Sequence, residues 1–288
     1  MDPMPGSSNS RMMLASGLQS ESGKEKTVLV LVVASDLEPW RSIEILGQRT
    51  TWATPTQKAA TVLFYYGKTH GIEYWMAAAI SKFLHIAGQD RLRRTFLRAC
   101  GTRYKLRTSE FGDRLEVDIP GIQGNIGAKT IGAFRHVLRD RAFDYIFRTN
   151  TSSYVCLPQL RNFVQTIPAM KYYGGVVGQT LGLPFVSGAG ILLSRDLVET
   201  ATRDSDWDWD LMDDQALASC MARAGVSPQN VERIEVSTQE QVASIPPDQW
   251  RDRFHVRCKS NGNRLCEIRI MNCVHTAYRT AWPNLEVR

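Results

Sequence analysis

The 288-residue chain is 43% hydrophobic and 22% charged, enough apolar material to bury one large core and too much for a disordered polypeptide. Its 35 Lys+Arg outnumber 29 Asp+Glu to give a net charge of +6, which suits an anionic ligand. The basic residues are scattered without a run of five, so small phosphate-bearing molecules are favoured over nucleic acid. The longest apolar run, Val28–Ala34, is too short to cross a bilayer, and no signal-peptide pattern precedes it. Six cysteines without a C-x-x-C pair suggest free thiols in a reducing, cytoplasmic setting. Peripheral membrane association stays compatible with all of this.

Residues 1–26, rich in Ser, Gly and Pro, read as a disordered tail. Thr27–Ala34 is a continuous β-branched run, the mark of a strand covered on both faces in a mostly parallel sheet. A helix is expected after Pro39, over Trp40–Trp52. Thr61–Tyr66 predicts a second buried strand closed by Gly67, and Gly71–Cys100 an irregular helical stretch. Leu115–Ile119 is a short strand, and Asn125–Leu138 an amphipathic helix that carries Lys129 in its first turns.

The pivotal stretch is FDYIFRTNTSSYV, Phe143–Val155. An aromatic strand ends abruptly in a polar string, and in an open α/β sheet that strand end borders the ligand crevice. Turn formation alone would also explain the Asn, Thr and Ser residues. Beyond it, a helix from Pro158 to Ile167, strands at Tyr172–Gly178 and Gly190–Leu193, and helices at Asp196–Thr202 and Met212–Ala224 are expected. The last segment predicts strands at Phe254–Cys258 and Glu267–Met271. The alternation to residue 193 argues α/β.

No phosphate-loop, dinucleotide or nucleophile-elbow motif occurs. Six segments in order nevertheless carry a likeness: Gln48–Trp52, Val62–Gly67, Asn125–Thr130, Phe143–Val155, Phe185–Ser194 and Met212–Gln215. Across residues 27–226 this series resembles the landmarks of GT-A fold glycosyltransferases, most of all the β1,3-galactosyltransferase and Fringe-like branch. The resemblance implies one domain over 27–288, with a mostly parallel central sheet and helices on both faces. A nucleotide-sugar half would run to about 155 and an acceptor half over 156–288. It implies transfer of a hexose from a nucleotide-sugar donor to a hydroxyl of a saccharide or glycolipid acceptor, with inversion.

The family's acidic, metal-holding DxD-type triplet falls here on Asn150, Thr151 and Ser152, none of them a carboxylate. Hard divalent cations need anionic oxygen, so the expectation is a metal-independent enzyme without a cofactor, a divalent metal such as manganese being the alternative. Cationic side chains can stabilise a departing diphosphate instead. Arg257 and Lys259, two apart and hence on one face of a strand, are the first candidates in a stretch that continues to Asn263 and Arg264, with Lys129 and Arg148 as further phosphate partners. Asp36, at the end of the first strand, matches where such enzymes hold the nucleotide.

Asp213–Asp214 resembles the family's late acidic pair. Asp214, with Asp213 beside it, is the expected base for the acceptor hydroxyl, although acidic residues at a helix start also serve the macrodipole. Trp207 and Trp209, in the run Asp204–Asp210, could form an acceptor-sugar platform, and Ser187–Gly188 could let backbone approach a sugar. His255, Cys258, Cys266, Cys273 and His275 match no common zinc spacing. Two rival readings stand beside the transferase: a non-catalytic carbohydrate- or nucleotide-binding protein of the same fold, and a nucleotidyltransferase.

Overall fold

The computed structural model describes residues 24–54, 59–103, 106–180 and 182–283. In chain order its elements are β1 (Val28–Val33), α1 (Trp40–Ile43) with a π-helical turn (Glu44–Gln48), β2 (Thr61–Lys68), α2 (Gly71–Ile86), α3 (Asp90–Arg103), β3 (Thr108–Phe111) and β4 (Arg114–Pro120). Then come α4 (Ile126–Asp140), β5 (Tyr145–Asn150), β6 (Ser153–Val155), α5 (Leu157–Thr166), β7 (Tyr173–Gly175), β8 (Val177–Thr180), β9 (Leu183–Val186), β10 (Gly190–Ser194) and α6 (Arg195–Arg203). The chain closes with α7 (Asp213–Arg223), β11 (Gln229–Asn230), β12 (Ile234–Val236), α8 (Gln239–Ser244), α9 (Pro247–Asp252), β13 (His255–Cys258) and α10 (Cys266–Ala281).

Eight strands form the main sheet in the order β11-β7-β10-β5-β1-β2-β4-β3. Its centre, β5-β1-β2-β4, is parallel, while β10 and β3 run antiparallel to their neighbours. The β1 run explains why the sheet is covered twice. Val28, Val30 and Val32 enter one buried cluster with residues of α5 and α10, and Leu29 and Leu31 enter a second with residues of α4, α6 and α7. Successive side chains of a strand point to opposite faces, so an uninterrupted apolar strand needs helices on both. The expected α/β class and mostly parallel sheet are therefore present.

Three sequence expectations change, and a fourth falls mostly outside the described residues. Glu267–Met271 is the first part of α10 and not a strand; Ile270, Val274, Tyr278 and Ala281 are buried at helical spacing, a pattern visible only over the whole helix. Gly71–Cys100 is two helices, broken where Gly88 takes a positive φ of 64°. Trp40–Trp52 forms only α1 and the π-helical turn. The tail expectation lies outside the described residues up to 23, but its end is held: Glu25 pairs with Arg161 at 2.6 Å and the Lys26 amide donates to Gln165 at 2.9 Å.

The segment after β5 does not rejoin the main sheet. It enters β6, the edge of a small sheet ordered β12-β13-β6, in which Arg257 lies opposite Ser153. The Gln48 amide donates to the carbonyls of Asn150 and Ser153, each at 3.0 Å, and the Trp52 indole donates to that of Ser153 at 3.0 Å. The Gln48–Trp52 segment thus holds the polar strand end in place. Among the described residues no helix is long and apolar enough to cross a membrane.

Candidate functional site: a cationic crevice at the carboxyl edge of the sheet

A crevice of about 770 Å³ opens where the parallel strands end, a volume suited to a small-molecule ligand. Val33, Ala34 and Ser35 after β1, Gly121 and Ile122 after β4, and Asn150, Thr151 and Ser152 after β5 form its floor. The start of α4, one face of α2, and the β13 end close its sides. Among the described residues its lining contains Lys82, Arg93, Lys129, Arg257, Lys259 and Arg264, and no Asp or Glu. The α4 N-terminus adds the positive end of a macrodipole. An anion fits that field.

Lys129 is the most deeply placed of these cations. It projects from the first turn of α4, is buried, and donates to the Ala34 carbonyl at 3.0 Å. Burial, reinforced by the nearby Arg148 charge, pulls its pKa down to about 7. An ammonium poised in this way gains its full charge when an anion arrives.

Arg257 projects from β13 with its Nε buried and without a hydrogen-bond partner among the described residues. Its terminal nitrogen lies 3.8 Å from Glu235 on the adjacent strand. A buried donor left unmade is costly, and an oxyanion would satisfy it. Lys259, two residues on, is exposed at the rim.

Arg264, the further cationic candidate five positions after Lys259, also lines the crevice. Its guanidinium stacks 4.4 Å over Trp40 and donates to Ser152 Oγ at 2.5 Å, while Glu267 pairs with it from α10. Glu267 is itself fully buried, and its carboxyl is raised by that burial against the pull of Arg264. The Asn150 carboxamide accepts from the Ser152 amide at 3.1 Å and so shapes the turn.

Several sequence candidates lie elsewhere. Arg148 is not available to a phosphate: it is buried, paired with Asp213 at 2.5 Å, and bonded to Tyr65 Oη at 3.2 Å and to the Gly188 carbonyl. Asp213 is consumed by the same cluster, where it also accepts from Thr130 Oγ1 at 2.8 Å. Asp36 forms a bidentate pair with Arg114 at 2.9 and 2.6 Å, which holds its carboxyl below the usual range.

Trp207 is only 3% exposed and packs in the core beneath α4, with Gly127 against its indole. It cannot present a ring face to a sugar. Trp209 is partly buried and covers Gly101 of α3 so closely that a Cβ there would lie 2.6 Å from its ring. The carboxylates of Asp204 and Asp208 are engaged by Arg223 and that of Asp210 by Arg98. The Ser187 hydroxyl accepts from Arg233 at 3.2 Å.

Gly188 and Gly190 are small to admit the protein's own side chains. A Cβ on Gly188 would meet Asp214 Oδ2 at 2.8 Å, and one on Gly190 would meet the His255 ring at 2.4 Å. His255 is buried and kept neutral by burial, with Arg233 and Arg257 adding to the effect, and its Nε2 lies 3.1 Å from Ser153 Oγ.

Asp214 differs from its neighbour. It is half-buried, accepting from the Gly188 amide at 3.0 Å and the Gln215 amide at 2.9 Å. Burial, with the Asp213 charge second, raises its carboxyl above the ordinary value. It follows by two residues Met212, which lines the crevice.

The donor set does not fit a divalent cation. The triplet offers only an amide and two hydroxyls, the crevice lining has no carboxylate, and among the described residues no cluster of three His, Cys, Asp or Glu converges to hold one. No protein-family model matches the chain, and no curated protein matches it in sequence.

Proposed function

We propose that the chain is a glycosyltransferase that takes a nucleotide-sugar donor into the crevice and moves its hexose to a hydroxyl of a saccharide or glycolipid acceptor. The observation that carries this reading is a crevice of nucleotide-sugar size at the carboxyl edge of a parallel sheet, lined among the described residues by six Lys and Arg and no carboxylate. It is joined by the resemblance of six ordered segments to GT-A fold enzymes. As the glycosidic C–O bond breaks, its electron pair passes to the diphosphate oxygen. Lys129, Arg257, Lys259 and Arg264 stabilise that developing charge, the role a divalent cation has in the DxD enzymes. Thr151 offers its hydroxyl to the same group, while Ser152 orients Arg264.

Asp214 takes the acceptor's proton and inversion follows from attack on the face opposite the leaving group. Asp213 is set aside as base because its carboxylate neutralises the buried Arg148. A carboxyl raised by burial is a stronger base than an exposed one, which supports Asp214.

The test is acceptor-dependent release of nucleoside diphosphate, with D214N compared to the native chain. The expected result is turnover in the presence of EDTA, lost by about a hundredfold or more in D214N while donor binding persists. The neutral triplet Asn150–Thr151–Ser152 favours one alternative, a non-catalytic nucleotide-sugar binder. Donor binding with no turnover on any acceptor, in native chain and D214N alike, would establish that alternative.

A further inference from the structure

Helix α2 has two different faces. Tyr74, Ala78, Ser81, Lys82 and His85 look into the crevice. The other face is apolar and bare: Ile72 is 75% exposed, Trp75 66%, Met76 57%, Phe83 70% and Ile86 74%. These positions recur at the three- and four-residue spacing of one helical stripe. Leu92, at the start of α3, is also exposed. Single exposed apolar side chains need no explanation, but five large ones along one helical stripe mark a surface that is covered in use.

The charge around the patch says by what. From Gly71 to Thr102 the hairpin carries Lys82, Arg91, Arg93, Arg94 and Arg98 against only Glu73 and Asp90. Arg91, Arg94 and Arg98 are exposed on α3. A Trp and Phe among aliphatic residues, bordered by arginines, is the composition of a helix that lies in a lipid interface, with the aromatic rings at headgroup level and the cations on anionic headgroups. At 16 residues, α2 is too short to span a bilayer, so it lies on the surface.

We propose that the α2–α3 hairpin docks the protein on an anionic lipid bilayer, with Ile72, Trp75, Met76, Phe83 and Ile86 inserted at the headgroup boundary and Arg91 and Arg94 on lipid phosphates. Docking of this kind holds one wall of the crevice at the lipid surface, since α2 supplies both. The docking surface stands independently of which ligand the crevice takes.

The test is cosedimentation of the full chain with vesicles of phosphatidylcholine alone and of phosphatidylcholine mixed with phosphatidylglycerol, at low and high salt. The native chain should sediment with the mixed vesicles, less with phosphatidylcholine, and less at high salt. The double variant W75E/F83E should remain in the supernatant with an unchanged circular dichroism spectrum, both positions being exposed. R91Q/R94Q should lower partitioning onto the mixed vesicles by about tenfold and change that onto phosphatidylcholine little. The proposal is overturned if the native chain stays in the supernatant with both vesicles, or if W75E/F83E sediments like it. It is equally overturned if light scattering shows a dimer that W75E/F83E separates, since a second copy then covers the face.

Discussion

Two groups of basic residues lie close together in this protein and serve opposite ends. Beneath the carboxyl edge, Arg148 is enclosed with Asp213, Tyr65 and the Gly188 carbonyl, every contact supplied by the protein. Above it, Lys129, Arg257, Lys259 and Arg264 face a crevice whose lining holds no carboxylate. A cation wholly enclosed with a carboxylate holds a fold together; cations that border open space, even where Glu267 or Glu235 backs them from behind, can hold an anion. The difference lies in topology, because Arg148 on β5 and Arg257 on β13 are the same residue type within reach of the same strand end.

The comparison breaks most visibly in the lower group. D213N leaves a buried guanidinium uncompensated, and should cost about 3–5 kcal/mol of stability by chemical denaturation. D214N, one residue away and half-buried, should fall well short of that. Equal losses would mean that the Arg148–Asp213 pair is no structural keystone.

In the upper group, R257Q/K259Q should leave the melting temperature close to native while weakening donor binding by about a hundredfold, since hydrogen bonds to charged groups contribute about 1.5–3 kcal/mol each. Isothermal titration measures this, and unchanged affinity would remove both residues from the anion site. Between the groups, G190A would place a methyl 2.4 Å from the His255 ring. That strain should cost about 1–3 kcal/mol by thermal denaturation.

A different kind of effect is a pH dependence. Lys129 has a folded pKa of about 7 against an ordinary 10.5, so between those values the unfolded chain holds the extra proton. Stability from this group therefore rises with pH from about 7 to about 10. K129M should flatten that rise in melting temperature, and should also abolish a decline in donor affinity as pH climbs above 7. A variant whose melting profile kept the native slope would show that Lys129 is not the titrating group.

Much of this architecture was legible in the sequence because strand patterning is local. Thr27–Ala34, Thr61–Tyr66 and Phe143–Phe147 announce a doubly covered sheet by short, largely apolar runs, and the polar string Arg148–Ser153 marks the crevice floor. Arg257 and Lys259 were also readable, as two basic residues at strand spacing. What was not readable is pairing across distance. Nothing near Arg148 in the chain reveals that Asp213, 65 positions later, closes upon it. Trp207 appears in the most polar run of the sequence, yet packs into the core because α4 lies over it. Gly188 and Gly190 signalled close approach correctly and concealed what approaches, Asp214 and His255. Arg264 was readable as a basic residue of the same segment, but its stacking over Trp40, more than two hundred residues earlier, was not.

The central claim is that the crevice binds a nucleotide diphosphate with side-chain cations in place of a metal. The most direct measurement is thermal stabilisation of the full chain by UDP-, GDP-, CMP- and dTDP-sugars, each with EDTA and with manganese. A bound ligand raises apparent stability with the logarithm of its saturation. The expected result is a shift with one sugar nucleotide that is the same in EDTA and manganese and disappears in R257Q/K259Q. A shift that requires manganese, or none with any donor, would contradict the claim.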